Sequence, residues 1–257
     1  MTPLRLNELR SDLAAGLKQG VLLAAAALVL TLPPAGQATL RSAVPGPHSQ
    51  IQHTLFRSAD FASHAASDDA HFIADWAADS GDSHGLPFVI LDKRDARAFV
   101  FAADGRLIDS SPVLLGAAPG DDPVADIGTR PMARVQQEEK TTPAGRFISE
   151  PGKNASGEGV VWVDYADSVS MHRVRLVDPK ERRLERLASP DPSERRISYG
   201  CINVPVAFFE SVIWPLLGSR RAVVYVLPEV RDVHEVFAGA YTLATKTVQE
   251  SAQQARL

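Results

Sequence analysis

Between residues 87 and 115 the chain passes through three short runs dense in valine, isoleucine, leucine and phenylalanine, at 87–91, 98–101 and 106–115. Turn residues separate them at 93–95 and at Asp104-Gly105. β-Branched and aromatic side chains suit a pleated surface, and an Asp-Gly pair favours a tight reversal. The stretch predicts a meander. The same character returns at 146–149, 160–165 and 168–174, where Trp162 and the valines alternate with polar neighbours, and again at 222–227. Residues 116–129 are acidic and carry Pro119, Gly120, Asp121, Asp122, Pro123 and Gly128, which reads as a solvated loop.

Helices are predicted at the edges of this strand-rich region. Ser67 or Asp68 can cap a helix that places Phe72, Ile73, Trp76 and Ala77 on one face and ends at Gly81. Phe208, Phe209, Val212, Ile213 and Leu216 form a second apolar face, with Pro215 and Gly218 as stops. Val230, Val233, Phe237, Ala240, Tyr241 and Ala244 suggest an amphipathic helical tail. The expected class is mainly β (α+β), a sandwich or barrel-like sheet with a few peripheral helices.

A formal charge of −4 and the lack of a long basic run give no reason to expect nucleic acid as a partner. The single cysteine, Cys201, cannot form an internal disulfide and is too little for a thiolate metal site, so no metal or cofactor is expected. At the N-terminus, Arg5, Arg10 and Lys18 precede an apolar stretch at 20–32, then Pro33, Pro34 and small residues. That is the pattern of a Sec-type signal, with cleavage expected after Ala38 and membrane attachment as the alternative if it is retained. The expected organisation is a signal at 1–38, a linker with a short helix at 39–85, a catalytic domain at 86–228 and a tail at 229–257, located in the periplasm or cell envelope.

The chemistry concentrates in residues 196–205, RISYGCINVP. Gly200 permits close backbone approach beside Cys201, and Asn203 with Pro205 reads as the start of the following helix, so Cys201 is expected at a helix N-terminus that would favour its thiolate. A thiolate nucleophile needs a base. Of seven histidines only His172 falls within a core strand. Taken alone, a lone cysteine or a lone strand histidine is more often structural than catalytic.

The order of these pieces resembles the YkuD-type L,D-transpeptidase catalytic domain: an opening hairpin, a TPxGxF segment here TTPAGRF at 141–147, a strand histidine here His172, and an S-H-G-C signature here Ser198, Tyr199, Gly200 and Cys201. The resemblance spans roughly 87–228. It implies cysteine acyl transfer on peptidoglycan stem peptides, with Cys201 as nucleophile and His172 as base and then acid. It further implies the Arg173 carbonyl as the group that fixes the imidazole tautomer, and the amides of Tyr199, Gly200 and Cys201 as oxyanion donors supported by Ser198 and Asn203. An L,D-carboxypeptidase using the same site and a catalytically silent wall-binding module remain the alternatives.

Three features depart from the family pattern. Tyr199 replaces the usual histidine, Arg173 replaces a commoner small residue, and the 25 residues from 173 to 197 exceed the usual spacing. That insertion holds eight basic residues against five acidic ones. Arg182, Arg183, Arg186, Arg195 and Arg196 are therefore candidates to grip substrate carboxylates, against the simpler reading of a solvated helix at 180–187. The sequence does not predict an oligomeric state.

Overall fold

The computed structural model describes residues 57–246 and 253. The signal and most of the linker expected from the sequence lie outside the described residues. Helix α1 (Asp68–Ser80) is capped by the Ser67 side chain, which accepts from the Ala70 amide, and ends at left-handed Gly81. Strands β1 (Phe88–Asp92), β2 (Arg97–Phe101) and β3 (Leu107–Pro112) form the meander. β4 (Leu115–Gly116) is a separate short strand, so the single run expected at 106–115 is broken at Val113-Leu114. Then follow β5 (Gly145–Lys153), β6 (Gly159–Asp164), β7 (Val169–Arg173), helix α2 (Arg183–Ala188), β8 (Arg196–Ser198), β9 (Ile202–Val204) and β10 (Ala222–Val226).

Eight of these strands make one sheet in the order β3-β2-β1-β10-β5-β6-β7-β9, and β4 pairs with β8 beside it. Leu114, just past β3 at one edge, exchanges backbone hydrogen bonds of 2.9 and 2.8 Å with Asn203 of β9 at the other edge. The sheet is therefore curled almost into a barrel. The fold is mainly β with a few helices at its margin.

Period-two alternation explains why the central strands carry no polar face. In β1, Val89 and Leu91 point into the barrel with Val100, Val224, Met171 and Ile202, while Phe88 and Ile90 point outward onto α1. β10 divides the same way: Ala222, Val224 and Val226 face inward, Val223 and Tyr225 outward. Each fully buried side chain of this size contributes about 1.5–3 kcal/mol by leaving water. Ile73 and Ala77 of α1, with Val233 and Phe237 from the tail, cover the outer layer.

Four local expectations are corrected. The helical segment after β9 runs as α3 (Val206–Phe208), a π turn (Phe209–Ile213) and α4 (Trp214–Leu217), so Pro215 does not stop it. The wider π turn just upstream accommodates a ring that would clash with the carbonyl four residues earlier in a regular helix. The tail is not one helix: α5 (Val233–Val236) ends at Phe237, and helix begins again only at 243. The helix expected at 180–187 is split into a 3-10 turn (Pro179–Glu181) and α2 by Arg182, whose φ is +50°. Asp121 is not solvated but buried: it accepts from Lys93 Nζ at 2.7 Å and from the amides of Glu229, Val230 and Arg231. Among the described residues no helix is long and apolar enough to cross a membrane.

Candidate active site

Strand β7 has two faces. Val169 and Met171 are buried in the barrel, which turns Ser170 and His172 to the opposite side. β9 lies parallel to β7 with Met171 opposite Ile202 and His172 opposite Asn203. Ile202 shares the interior with Met171, so Cys201 and Asn203 emerge on the same face as Ser170 and His172. Cys201 and His172 line one open cleft of about 290 Å³. His172 also borders a second hollow of about 300 Å³ with Gly159, Arg173 and Val206, so the imidazole stands between two spaces.

Cys201 precedes a strand, not a helix. Ile202–Val204 extends as β9, and the helical segment begins only at Val206 without a side-chain cap, so the helix-dipole argument for the thiolate does not apply. The side chain of Asn203 does not cap a helix. Its Nδ2 donates to the Cys201 carbonyl at 3.2 Å, and its Oδ1 accepts from Arg183 Nη1 at 2.6 Å. Three residues that alternate apolar, polar, apolar are long enough to add a strand and too short for their period to announce it.

The thiol is half-buried. Its Sγ donates to the Ser168 carbonyl at 3.4 Å, with Ser170 Oγ 3.6 Å away. Burial pushes the Cys201 pKa up, but the influence of the neighbouring His172 imidazole and of Ser170 outweighs it, and the pKa lies below the ordinary thiol value. The imidazole is oriented: His172 Nδ1 lies 2.7 Å from the Arg173 carbonyl, which can only accept, so Nδ1 carries a proton and Nε2 is the nitrogen turned away from that bond. The Arg173 side chain is held elsewhere, donating to Glu210 at 2.5 Å and to the Gly159 carbonyl at 2.9 Å, with its guanidinium 4.3 Å above the Phe209 ring. It ties β7 to the helical segment and leaves its carbonyl to the histidine.

The turn before the cysteine is locked from below. Gly200 has φ +129°, and a Cβ there would meet the Thr141 carbonyl oxygen at 2.7 Å. Ser198 Oγ accepts from the Gly200 amide at 3.1 Å and donates to the Cys201 carbonyl at 2.6 Å. Thr142, fully buried, donates through Oγ1 to the Gly200 carbonyl at 2.9 Å and accepts there from the Gly116 amide at 3.0 Å. The TTPAGRF segment thus reaches the cysteine turn directly. Tyr199 lies on the cleft, 39% exposed, with Lys140 Nζ 4.2 Å above its ring.

Of the arginines singled out in the insertion, the structure brings only Arg183 to this cleft, paired with Glu181 at 2.5 Å. Arg182 pairs with Glu185 in solvent, and Arg186 donates to the carbonyls of Glu181 and Glu194 within its own segment. Arg195 is buried against the carbonyls of Asp95 and Ser189, and Arg196 pairs with Glu229 and the Lys93 carbonyl. These four hold the insertion together or to the sheet. Ser170 and Met132 complete the surroundings of the site without having been singled out by sequence, and Thr142 and Arg175 join them, the one from the TTPAGRF motif and the other from the basic insertion. Ser170 had a usable signal, being two residues before His172 on a strand and so on its face. Among the described residues no group of three His, Cys, Asp or Glu side chains is placed to hold a metal ion.

No family model and no curated protein matches the sequence. Solved structures do. The NMR structure of the catalytic domain of Enterococcus faecium L,D-transpeptidase matches at 16% identity over 56% of this chain and 98% of that one, with a TM-score of 0.32. The helical cell shape determining protein Pgp2 of Campylobacter jejuni matches at 15% identity, 57% and 49% coverage and a TM-score of 0.35. Mycobacterium tuberculosis L,D-transpeptidase 1 matches at 14% identity, 55% and 61% coverage and a TM-score of 0.29. The chain spans nearly all of the isolated catalytic domain and about half to three-fifths of the longer chains.

Proposed function

We propose that this chain is a cysteine acyltransferase of the L,D-transpeptidase type, acting on peptidoglycan stem peptides in the cell envelope. The observation that carries the reading is the pairing of a half-open thiol of lowered pKa with an imidazole whose tautomer is fixed by a backbone carbonyl. In this reading His172 Nε2 takes the Cys201 proton and the thiolate attacks the carbonyl carbon between the diamino acid and the following D-alanine. The tetrahedral oxyanion is met by main-chain amides of the cysteine turn. Gly200 already donates to Ser198, which leaves Tyr199 and Cys201 as the donors proposed. The C–N bond then breaks, His172 returns the proton to the departing amine, and a thioester remains. An acceptor amine attacks that thioester, gives its proton to His172 and releases the thiolate with formation of a new amide.

Two hollows meeting at His172 suit a donor on one side and an acceptor on the other. Both are open to solvent, which favours hydrolysis of the thioester as the second reading, giving an L,D-carboxypeptidase. A silent wall-binding module is disfavoured, because such a module has no use for an oriented base beside an accessible thiol.

Intact-mass measurement after incubation with a carbapenem or a tetrapeptide donor tests the proposal. One adduct is expected, located on Cys201 and absent from Cys201→Ser. Product analysis then separates cross-linked dimer from trimmed peptide. Absence of any adduct from the folded parent protein, at concentrations that label free thiols, overturns the proposal.

A further inference from the structure

A third hollow, of about 380 Å³, lies where the β1–β2 turn, the segment before α1 and the end of the insertion converge, and it shares no lining residue with the two spaces about His172. Two guanidiniums border it, Arg97 and Arg195. Neither is in an ion pair among the described residues: Arg97 donates to Ser110 Oγ at 3.1 Å, and Arg195 donates to the carbonyls of Asp95, Ala96 and Ser189. Arg195 is 6% exposed, and its Nε has no hydrogen-bond partner. Asp95 and Asp191 act on Arg195 through their charge, but neither reaches it in a direct ion pair, and a buried guanidinium with an unpartnered N–H has a donor left to satisfy.

The remaining groups sharpen the chemistry. His64 Nδ1 lies 2.8 Å from the same Ser110 hydroxyl that accepts from Arg97. That hydroxyl has one proton to give, and giving it to Nδ1 leaves His64 Nε2–H as a third donor on the hollow. Asp95 is the one acid on the lining. Burial, and then the neighbouring Asp92, raise its pKa, while burial and the charge of Arg97 lower that of Arg195. Asp191, the other acid near Arg195, is committed to the amide of Ser193 at 2.8 Å. The lining therefore offers an incoming group two guanidiniums that stand in no direct ion pair, one of them with an unpartnered Nε.

We propose that the hollow bounded by Arg97, Arg195 and His64 binds an oxyanion, a phosphate or carboxylate group, at a site separate from the cysteine cleft. Planar guanidinium forks match the oxygen spacing of both groups. Arg195 stands one residue before β8, which leads into the turn carrying Cys201, so an anion here would also anchor the root of the catalytic loop.

The test is an NMR titration of the isotope-labelled full chain with inorganic phosphate, acetate or chloride at matched ionic strength, read at the amides of Asp95, Ala96 and Ser193. Saturable shifts are expected with the oxyanions and not with chloride, and the ratio of phosphate to acetate affinity distinguishes the two sources. Arg97→Gln should weaken phosphate binding about tenfold, the loss of one charged hydrogen-bonding partner, and Asp95→Asn should strengthen it. Equal shifts from chloride, or phosphate binding unaltered in a folded Arg97→Gln, overturn the proposal. If Arg97→Gln does not fold, Asp95→Asn decides: unchanged or weaker phosphate binding in that variant overturns it.

Discussion

In the proposed reaction, Cys201 and His172 divide the work of activation between position and charge. Burial alone would hold the thiol protonated; the imidazole and Ser170 reverse the balance. A group with a lowered pKa is ionised at lower pH than its free counterpart. Alkylation of Cys201 by iodoacetamide should accordingly show a midpoint below the value of about 8.5 for a free cysteine. His172→Ala should move that midpoint upward, and a pH profile identical in the two proteins would remove the imidazole from the activation. At this scale the sequence made two side chains legible, one unpaired cysteine beside a glycine and one histidine in a strand. It did not reveal the fate of the arginines. Arg195 and Arg196 occupy a basic stretch like Arg183, but which of them faces a cleft depends on turns at Arg182 and Asp191 whose geometry only packing decides. Lys93 was equally hidden: it sits in a hairpin turn, yet is fully buried with bonds to Gly120, Asp121 and Thr142.

The elements that present the site are short, and they are held by one another rather than by their own propensity. β9 has three residues, and its turn is supported by Ser198, Asn203 and Thr142. Thr142→Val keeps the shape of the side chain and removes the bridge between the Gly116 amide and the Gly200 carbonyl. It should cost about 1–3 kcal/mol in denaturant unfolding, because two buried polar groups lose their partner. It should also lower turnover more than it raises KM, since the displaced atoms are those of the cysteine turn. Unchanged turnover in a destabilised variant would make Thr142 purely structural. Longer elements were readable in advance. α1 has its cap, face and stop written in adjacent residues, and β1, β2 and β10 are dense apolar runs. The three-residue strand was not readable, because Asn203 and Pro205 are also what a helix start contains. The tail misled for another reason: its apolar spacing is helical, but Phe237 leaves the helix to fill the outer core.

For the molecule as a whole, Asp121 is the clamp that joins distant parts. It neutralises buried Lys93 from the first hairpin and gathers three consecutive amides, Glu229 to Arg231, from the start of the tail. Burial raises its pKa, but these bonds prevail and hold it at about 2. Because the folded value lies below the unfolded one of about 3.9, its contribution is complete above that pH and is lost as pH falls from about 4 toward 2. Asp121→Asn should lower stability near neutrality by about 3–5 kcal/mol, leaving Lys93 without its closest counter-charge, and should flatten the acid limb of the stability curve. Equal acid sensitivity of parent and variant, measured by urea unfolding between pH 2 and 6, would assign the acid transition to other carboxylates.

The parallel ladder between β1 and β10 has a kinetic corollary. Phe88 to Leu91 pair with Val223 to Val226, so the middle of the sheet is assembled from segments far apart in the sequence. A growing polypeptide that stops before Val223 leaves β1 and β5 with an empty lane between them, and neither core layer can close. Such long-range pairing slows folding and postpones it until β10 has been made. A chain built this way stays threadable until β10 has emerged and becomes compact only then.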